Sequence, residues 1–251
     1  MLQFKAIILN EIEKMYKKKK GIVILIITLI VIAFGQLAIS SLRALSGGMI
    51  LIGLQFPLWL LHFFALTILP LFVILICIDT FASEFSNDTM KLVVTRPVSR
   101  FKIFTGKFVA VIFYALLNLF ILMILATIVG LIFNTSIFSF KAVLSLFLSF
   151  TSVIIPISVM ALIVILFSNI FKSGVGIFFL STFTFIGLYI IGLLFLPNYS
   201  NLFITPMLGW HRLFSINPIP IRLITNLFLI MLGYNLIFFT LGYYLYDKRD
   251  L

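Results

Sequence analysis

Charged residues are scarce in this chain of 251 residues: they make up 10% of it, whereas 63% of the residues are hydrophobic and 30 are Phe. Soluble domains carry about a quarter charged residues, so the composition excludes a soluble globular fold. A helical span needs about 20 mostly apolar residues, and the apolar runs accommodate six such spans with little left over. The sequence therefore predicts an all-α integral membrane protein without a sizeable soluble domain.

Side chains that usually carry catalysis or metal binding are also few. The single cysteine, Cys77, excludes an internal disulfide and a multi-cysteine metal site. The two histidines, His62 and His211, are far apart in the sequence, and no HExxH or GxSxG pattern occurs. We interpret each histidine as a polar or interfacial residue rather than as a metal ligand. An intramembrane enzyme is therefore disfavoured.

Ionisable residues are missing from the centres of all six predicted spans. Their absence counts against proton- or sodium-coupled transport by this chain alone. Asn118 and Asn235 are the deepest polar residues, and we interpret them as contacts between helices. A GxxxxGK[ST] phosphate loop is also missing, because Gly106-Lys107 is followed by Phe108 and lacks the earlier glycine. Any nucleotide energy has to come from another polypeptide.

Long apolar runs alternate with short polar connections. Residues 1–20 repeat apolar residues at three- and four-residue spacing and end in four lysines, a pattern typical of an interfacial helix. Because acidic residues precede the first apolar run, we expect this segment to remain as an anchor.

Pro70 and Pro156 are expected to kink the second and fourth spans. Residues 197–222 hold four of the eight prolines, and we expect an outer loop with short re-entrant helices before the sixth span. The predicted spans cover residues 21–42, 56–78, 108–133, 138–167, 174–196 and 223–245.

The distribution of basic residues orients these spans. With both termini and the loop at residues 79–107 placed inside, 14 of the 18 Lys and Arg residues and all seven acids lie on the inner side. The four outer basic residues are Arg43, Lys141, Arg212 and Arg222. The positive-inside rule thus favours two cytoplasmic termini. The net charge of +11 is explained by these flanking residues, so we expect no nucleic-acid partner.

The 79–107 loop holds three of the seven acids and five of the basic residues. Asp88 is a good helix cap, residues 89–95 can form two helical turns that Pro97 ends, and Ser99 can cap the next helix. These features favour a short helix with an apolar face. A loop that merely satisfies the positive-inside rule would also explain the Lys and Arg residues, but not the order of acid, cap, helix and proline. From the residues alone, both interpretations stay open.

The same loop carries a recognisable pattern. Glu84, followed by TMKLVVTRPVSR at residues 89–100 and by Gly106-Lys107, resembles the E…GTxKxLLxxPxSRxxxxxGK pattern of ABC type-2 permeases. These proteins are the membrane subunits of bacterial ATP-binding-cassette exporters. Together with the six-span plan, the resemblance extends over essentially the whole chain. One departure is Asp88, which stands where the family often has Gly.

The resemblance implies the type V exporter fold, in which two six-span subunits each dock on a separate cytoplasmic ATPase through a coupling helix between spans two and three. ATP and Mg would bind to that ATPase, and this chain would hold no cofactor and catalyse no reaction. Residues Lys5 to Lys20 would form the connecting helix along the inner leaflet. The residues implied to couple to the ATPase are Glu84, Asp88, Thr89, Lys91, Arg96, Pro97 and Arg100.

The expected function is ATP-driven export across the plasma membrane of a hydrophobic or amphipathic cargo, such as a peptide, an antimicrobial or a lipophilic drug. The expected partners are the ATPase, a second permease subunit that is identical or related, and membrane lipid. An alternative is a membrane-anchored docking or regulatory protein that uses the loop without transport.

Overall fold

The computed structural model describes residues 2–17, 20–45, 55–83, 99–133, 140–195 and 202–248. These residues form helices and no strand, which confirms the all-α prediction. The helices are α1 (Leu2–Lys17), α2 (Lys20–Leu45), α3 (Gln55–Leu66), α4 (Ile68–Cys77) with a π-helical turn at Ile78–Ala82, α5 (Arg100–Phe133), α6 (Phe140–Ser152), α7 (Ile154–Ile170), α8 (Gly174–Ile190) with a π-helical turn at Ile191–Phe195, α9 (Ile204–Met207), a 3-10 helix at Leu208–Ser215, and α10 (Ile221–Lys248).

Four stretches among these helices are long and apolar enough to cross a membrane, and the pair α3–α4 makes a fifth if it counts as one bent span. Helix α8 has 17 residues and is a shorter apolar helix, continued by its π-helical turn. The membrane-spanning character is therefore confirmed at this level, while the count of six spans stays a prediction. The four stretches are Gly21–Leu42, Arg100–Phe133, Phe140–Ile170 and Ile221–Lys248.

Two helical breaks each lie three residues before a proline. Thr67 separates α3 from α4, which are bent by 44°, and Pro70 follows. Val153 separates α6 from α7, and Pro156 follows. Proline has no backbone donor and its ring crowds the preceding turn, so the helical ladder is interrupted just before it. The breaks lie where the two prolines predict kinks.

Close contacts of glycines show that α5 runs antiparallel to the α3–α4 pair and that α8 begins where this pair ends. A Cβ atom placed on Gly130, late in α5, would lie 3.4 Å from Phe56 at the start of α3. One placed on Gly174, at the start of α8, would lie 3.2 Å from Ile78 at the end of α4. We call the end of the bundle with α1, Ile78 and the start of α5 the near end. The far end holds the start of α3, the end of α5 and residues 202–220.

Helices α4 and α7 supply most of the centre of the bundle, and polar contacts join α7 to α10. Ser158 Oγ donates a hydrogen bond to Asn235 Oδ1 at 2.8 Å. Asn169 Nδ2 donates to the carbonyl of Gly242 at 3.0 Å. The interpretation of Asn235 as a helix contact is thus confirmed. Asn118 Nδ2 instead donates to Tyr114 O one turn earlier in its own helix, at 2.7 Å.

Candidate functional site

The residues at the two ends of the 79–107 loop, 79–83 and 99–107, form what we call the loop root. Helical structure enters this loop from both sides, because α4 continues through the π-helical turn and α5 already begins at Arg100. The Ser99 carbonyl accepts hydrogen bonds from the amides of Lys102 and Ile103, which starts α5 at the position its sequence predicts. Of the predicted coupling residues, Arg100 is described, whereas Glu84, Asp88, Thr89, Lys91, Arg96 and Pro97 lie outside the described residues.

Arg100 links the start of α5 to the end of α10. Its Nη1 donates a hydrogen bond to the backbone carbonyl of Asp247, in the last turn of α10. The last carbonyls of a helix lack intrahelical partners and carry a partial negative charge, so a guanidinium stabilises them. The side chain predicted to serve the ATPase therefore also holds the chain's own last helix.

Lys107 closes the loop root from inside the bundle. Its side chain is only 1% exposed. Its Nζ donates to the Thr80 carbonyl at 2.8 Å and lies 5.4 Å from the centre of the Phe81 ring. A buried ammonium is costly unless it finds acceptors, and a π-helical turn releases carbonyls from the regular ladder. Lys107, the lysine of the Gly-Lys pair, thus joins the C-terminal end of the 79–107 loop to its N-terminal end at Thr80.

Gly106 lets α1 approach α5. A Cβ atom on this residue would lie 2.7 Å from Ile7 Cγ2 and 3.8 Å from Phe4. Both partners are on the apolar face of α1, and that helix also buries Glu11, whose carboxylate binds Lys14 Nζ at 2.7 Å. Since only glycine fits this crossing without displacement, the Gly-Lys pair has two separate packing roles. Placement of α1 in the membrane interface stays a prediction.

Aromatic rings fill the space between the loop root and α10. Phe104 is fully buried, with ring centres of four neighbours 5.3 to 5.8 Å away. Such edge-to-face and tilted pairs add to the stabilisation from burial. The loop root, α1 and α10 consequently form one packed unit. The four neighbours are Phe81, Phe239, Tyr243 and Tyr246.

The far end brings the two histidines together, which the sequence does not predict. The rings of His62 in α3 and His211 in the 3-10 helix are 5.5 Å apart. Residues far apart in the sequence are therefore neighbours in the fold, because residues 202–220 fold back over α3. Among the described residues, no group of three or more His, Cys, Asp or Glu could hold a metal ion.

Serines of α6 hold the 3-10 helix in this position. Ser145 Oγ donates to the Phe214 carbonyl at 2.9 Å, and Ser149 Oγ donates to the His211 carbonyl at 3.1 Å. Trp210 Nε1 donates in return to the Ser152 carbonyl at 3.0 Å. The sequence carried a signal for this packing: Ser145, Ser149 and Ser152 are spaced four and three residues apart in a mainly apolar helix.

The three hydrogen bonds leave a cleft between α3, α6 and the 3-10 helix. Two adjoining cavities, of about 670 and 500 Å³, share the lining residues His62, Arg212 and Ile216. Lys141 lines the larger cavity, and its Nζ donates to Asn217 Oδ1 at 3.3 Å. The cleft therefore combines two cations with histidine and apolar side chains.

Comparison with known proteins finds one relative that matches part of the chain and one family model that matches most of it. Over 63 residues, a quarter of the chain, it is 46% identical to the "Uncharacterized protein YhcI" of Bacillus subtilis (strain 168). That match spans 20% of the length of the relative. Residues 53–251, which include the whole loop root and the far-end cleft, match the model of the family described as "Protein of unknown function (DUF2705)". Because that match covers well over half of the chain, the protein belongs to the DUF2705 family.

Proposed function

We propose that this protein is the membrane-spanning permease subunit of an ATP-driven ABC exporter that works with a separate cytoplasmic ATPase. The observation that carries the proposal is the loop root, where both residues of the Gly-Lys pair in the permease-like pattern have defined packing roles. Gly106 admits α1, and Lys107 joins α5 to the Thr80 carbonyl. A loop that only satisfied the positive-inside rule would need neither contact.

The packing suggests how movement of the loop would reach the bundle. An ATPase that displaced residues 84–98 would pull on the π-helical turn and on the start of α5 together, because Lys107 joins them. Arg100 would carry the same displacement to α10. Closely packed interiors transmit such shifts rather than absorbing them. In this mechanism, ATP binding by the partner turns a central path from inward- or lipid-facing to outward-facing.

We place the protein in the plasma membrane with six spans and both termini in the cytoplasm. The fifth span would be α8 with its π-helical turn, Gly174 through Phe195, which at about 1.5 Å per residue is long enough to cross the hydrocarbon core. The near end is then cytoplasmic and the far end faces outward. The lysine-rich end of α1 and the polar loop lie on the side that the positive-inside rule requires.

Uncovered helix surfaces support pairing with a second permease subunit. The apolar windows of α2 and α10 are 28% and 11% buried, against 61% for the stretch Phe140–Ile170. Lipid and a second copy or related chain would share these surfaces. With no ionisable residue at the span centres, the path suits a hydrophobic or amphipathic cargo, with peptides and antimicrobials as the preferred classes.

Affinity purification of the full chain from its native membrane in mild detergent, followed by an ATPase assay with ATP and Mg, tests the proposal. We expect a stoichiometric nucleotide-binding partner whose hydrolysis depends on this chain. A well-folded chain that repeatedly purifies without such a partner would refute the exporter function and favour the docking or regulatory alternative. A partner that binds but whose hydrolysis never responds to any cargo would also favour that alternative.

A further inference from the structure

The far-end cleft lies at the opposite end of the bundle from the loop root, and coupling to an ATPase does not require it. It opens between α3, α6 and the 3-10 helix, and Arg212 lines both of its cavities. Trp59, which is 48% exposed, stands at the rim of the larger cavity. The two cavities together are large enough for part of a lipid-sized molecule.

The charge in this cleft is unbalanced. Lys141 and Arg212 contribute two cations, and the partner shown for Lys141 is the neutral amide of Asn217. Arg212 has no carboxylate partner among the described residues. The sequence contains no Asp or Glu between residues 14 and 78 or between residues 89 and 246, so none of the segments that form the far end supplies an acid. Lys141 and Arg212 are exposed, so an anionic group that binds them comes from outside the far-end segments.

The histidines add hydrogen-bonding atoms that the described residues leave unused. His211 is fully buried, and its Nδ1 lies 2.8 Å from the Leu208 carbonyl, which places the proton on Nδ1 and leaves Nε2 as an acceptor. Within the described residues, neither His211 Nε2 nor His62 Nδ1 has a hydrogen-bond partner. Buried polar atoms normally find one. Of the two histidines only His62 lines the cleft, so its Nδ1 is the histidine atom that the cleft offers to a hydroxyl group beside the two cations.

The remaining walls of the cleft are mostly apolar. His62 comes six residues after Phe56 in α3, about 9 Å along the helix axis. Under the proposed topology this depth corresponds to the boundary between lipid headgroups and acyl chains, about 5 to 10 Å below the surface. A molecule that fits here is charged at one end and apolar at the other. The apolar lining includes Leu58, Leu66, Leu213, Leu223 and Leu227.

We propose that the far-end cleft binds the phosphate headgroup of an anionic lipid from the outer leaflet, with Arg212 and Lys141 on the phosphate and an acyl chain along the leucine wall. Guanidinium groups bind phosphate through paired, charge-assisted hydrogen bonds. A hydroxyl of a glycerol-type headgroup would hydrogen-bond to His62 Nδ1, which lines both cavities. The inference rests on the proposed topology for the leaflet, but it requires no ATPase.

The test uses the purified full chain in detergent with measured amounts of phosphatidylglycerol or phosphatidylcholine, and counts bound lipid by native mass spectrometry. We expect phosphatidylglycerol to bind about tenfold more tightly, equivalent to about 1.4 kcal/mol. The double variant Arg212→Gln/Lys141→Gln should lose this preference. Arg222→Gln is the matched control, because Arg222 is exposed at the same end but does not line either cavity.

Three results would overturn the proposal. The first is equal binding of the two lipids by the unmodified chain, and the second is an equal loss of preference in Arg222→Gln, which would reduce the effect to general surface charge. The third is complete competition by free glycerol phosphate at the lipid's own concentration, which would assign the cleft to a soluble phosphate. Arg212→Lys keeps the charge without the paired geometry, and we expect an intermediate preference. Circular dichroism checks that every variant keeps its helices.

These outcomes are independent of the exporter proposal. Purification without an ATPase leaves the lipid measurement intact, since that measurement needs the chain alone. Loss of lipid preference, conversely, leaves the loop root and its partner assay unaffected.

Discussion

Lys107 is the residue on which the loop root depends most directly. Its ammonium is buried and bonded to a carbonyl of the π-helical turn. Lys107→Met keeps the length of the side chain and its apolar stem but removes the donor. We expect a loss of about 1–3 kcal/mol in stability, because a hydrogen-bonded buried charge is replaced by a group that leaves the Thr80 carbonyl without this donor.

Thermal unfolding in detergent measures this loss. Lys102→Met is the matched control, since Lys102 lies in the same helix and is exposed, and surface substitutions usually change stability by less than about 0.5 kcal/mol. Equal effects of the two substitutions would show that the buried contact contributes nothing.

Arg100 gives a prediction with a local readout. Arg100→Ala removes the donor to the Asp247 carbonyl, and a cation at a helix C-terminus stabilises it by about 0.3–1 kcal/mol. We expect severalfold faster amide hydrogen exchange in the last turn of α10 and unchanged exchange in its middle. Lys102→Ala should leave both unchanged, and slow exchange of the last turn in Arg100→Ala would contradict the link.

His211 makes stability depend on pH. Burial lowers its pKa from 6.5 to about 4, and the neighbouring His62 and Arg212 act in the same direction, against the opposing bond to Leu208. As pH falls below 6.5 the unfolded chain takes up a proton that the folded chain accepts only near pH 4. The stabilisation is complete above pH 6.5 and declines by on the order of 3 kcal/mol as pH approaches 4.

Denaturant midpoints at pH 7.5, 6 and 5 measure this decline. Besides Arg212, the charged residue that lines the cleft next to His62 is Lys141. We expect His211→Asn, which cannot titrate in this range, to flatten the curve. An unchanged slope in that variant would assign the pH dependence to other groups.

At the scale of elements, the crossing of α1 and α5 can be tested through Gly106. Ala in place of Gly usually stabilises a helix by about 0.5–1 kcal/mol. Gly233→Ala, at a site with nothing within 4 Å of the added Cβ, should show that gain. Gly106→Ala should instead be destabilising, because the new methyl would meet Ile7 Cγ2 at 2.7 Å and α1 must shift.

A second substitution isolates the cause. Ile7→Ala removes the opposing branch, so the double variant Gly106→Ala/Ile7→Ala should recover part of the lost stability in a double-mutant cycle. Additive losses in that cycle would show that the two residues do not meet.

The elements differ in how far their sequence predicts them. Apolar runs locate the spans because a helix is the structure that satisfies its own backbone in lipid, and Pro70 and Pro156 locate the breaks at Thr67 and Val153. The π-helical turn at Ile78–Ala82 was not predicted, since the polar residues from Asp79 onward indicate the start of a loop. It is fixed by a lysine 27 residues later.

The loop root was more predictable than the cleft, because a local sequence pattern marks its residues whereas the cleft depends on contacts between distant segments. Gly106 and Lys107 stand out as part of a local pattern, although the contacts they make are with distant segments. The proximity of His62 and His211 depends on how residues 202–220 fold back. No short-range periodicity encodes that return path, and only the serine spacing in α6 hints at the surface that receives it.

For the whole molecule, the proposed topology gives a labelling prediction. The cysteine Cys77 is buried, and Cys77→Ala provides a background without thiols. In that background we expect Lys172→Cys to react with a membrane-impermeant maleimide only from the cytoplasmic side, and Arg222→Cys only from outside. Both positions are exposed. If both cysteines were labelled from the same side, the chain could not cross the membrane an odd number of times between residues 172 and 222.

The two helical breaks have a further consequence when taken together. Helices α3 and α6 have 12 and 13 residues before their breaks, about 18 and 20 Å from the far end. Both run in the same direction, and the 3-10 helix packs on each of them. The breaks at Thr67 and Val153 therefore lie at nearly the same depth from the far end, with the far-end cleft on one side and the α4–α7 core on the other. Under the proposed topology, we expect that tilting the far-end helices at this shared depth would widen the outward-facing end while the near end stays closed.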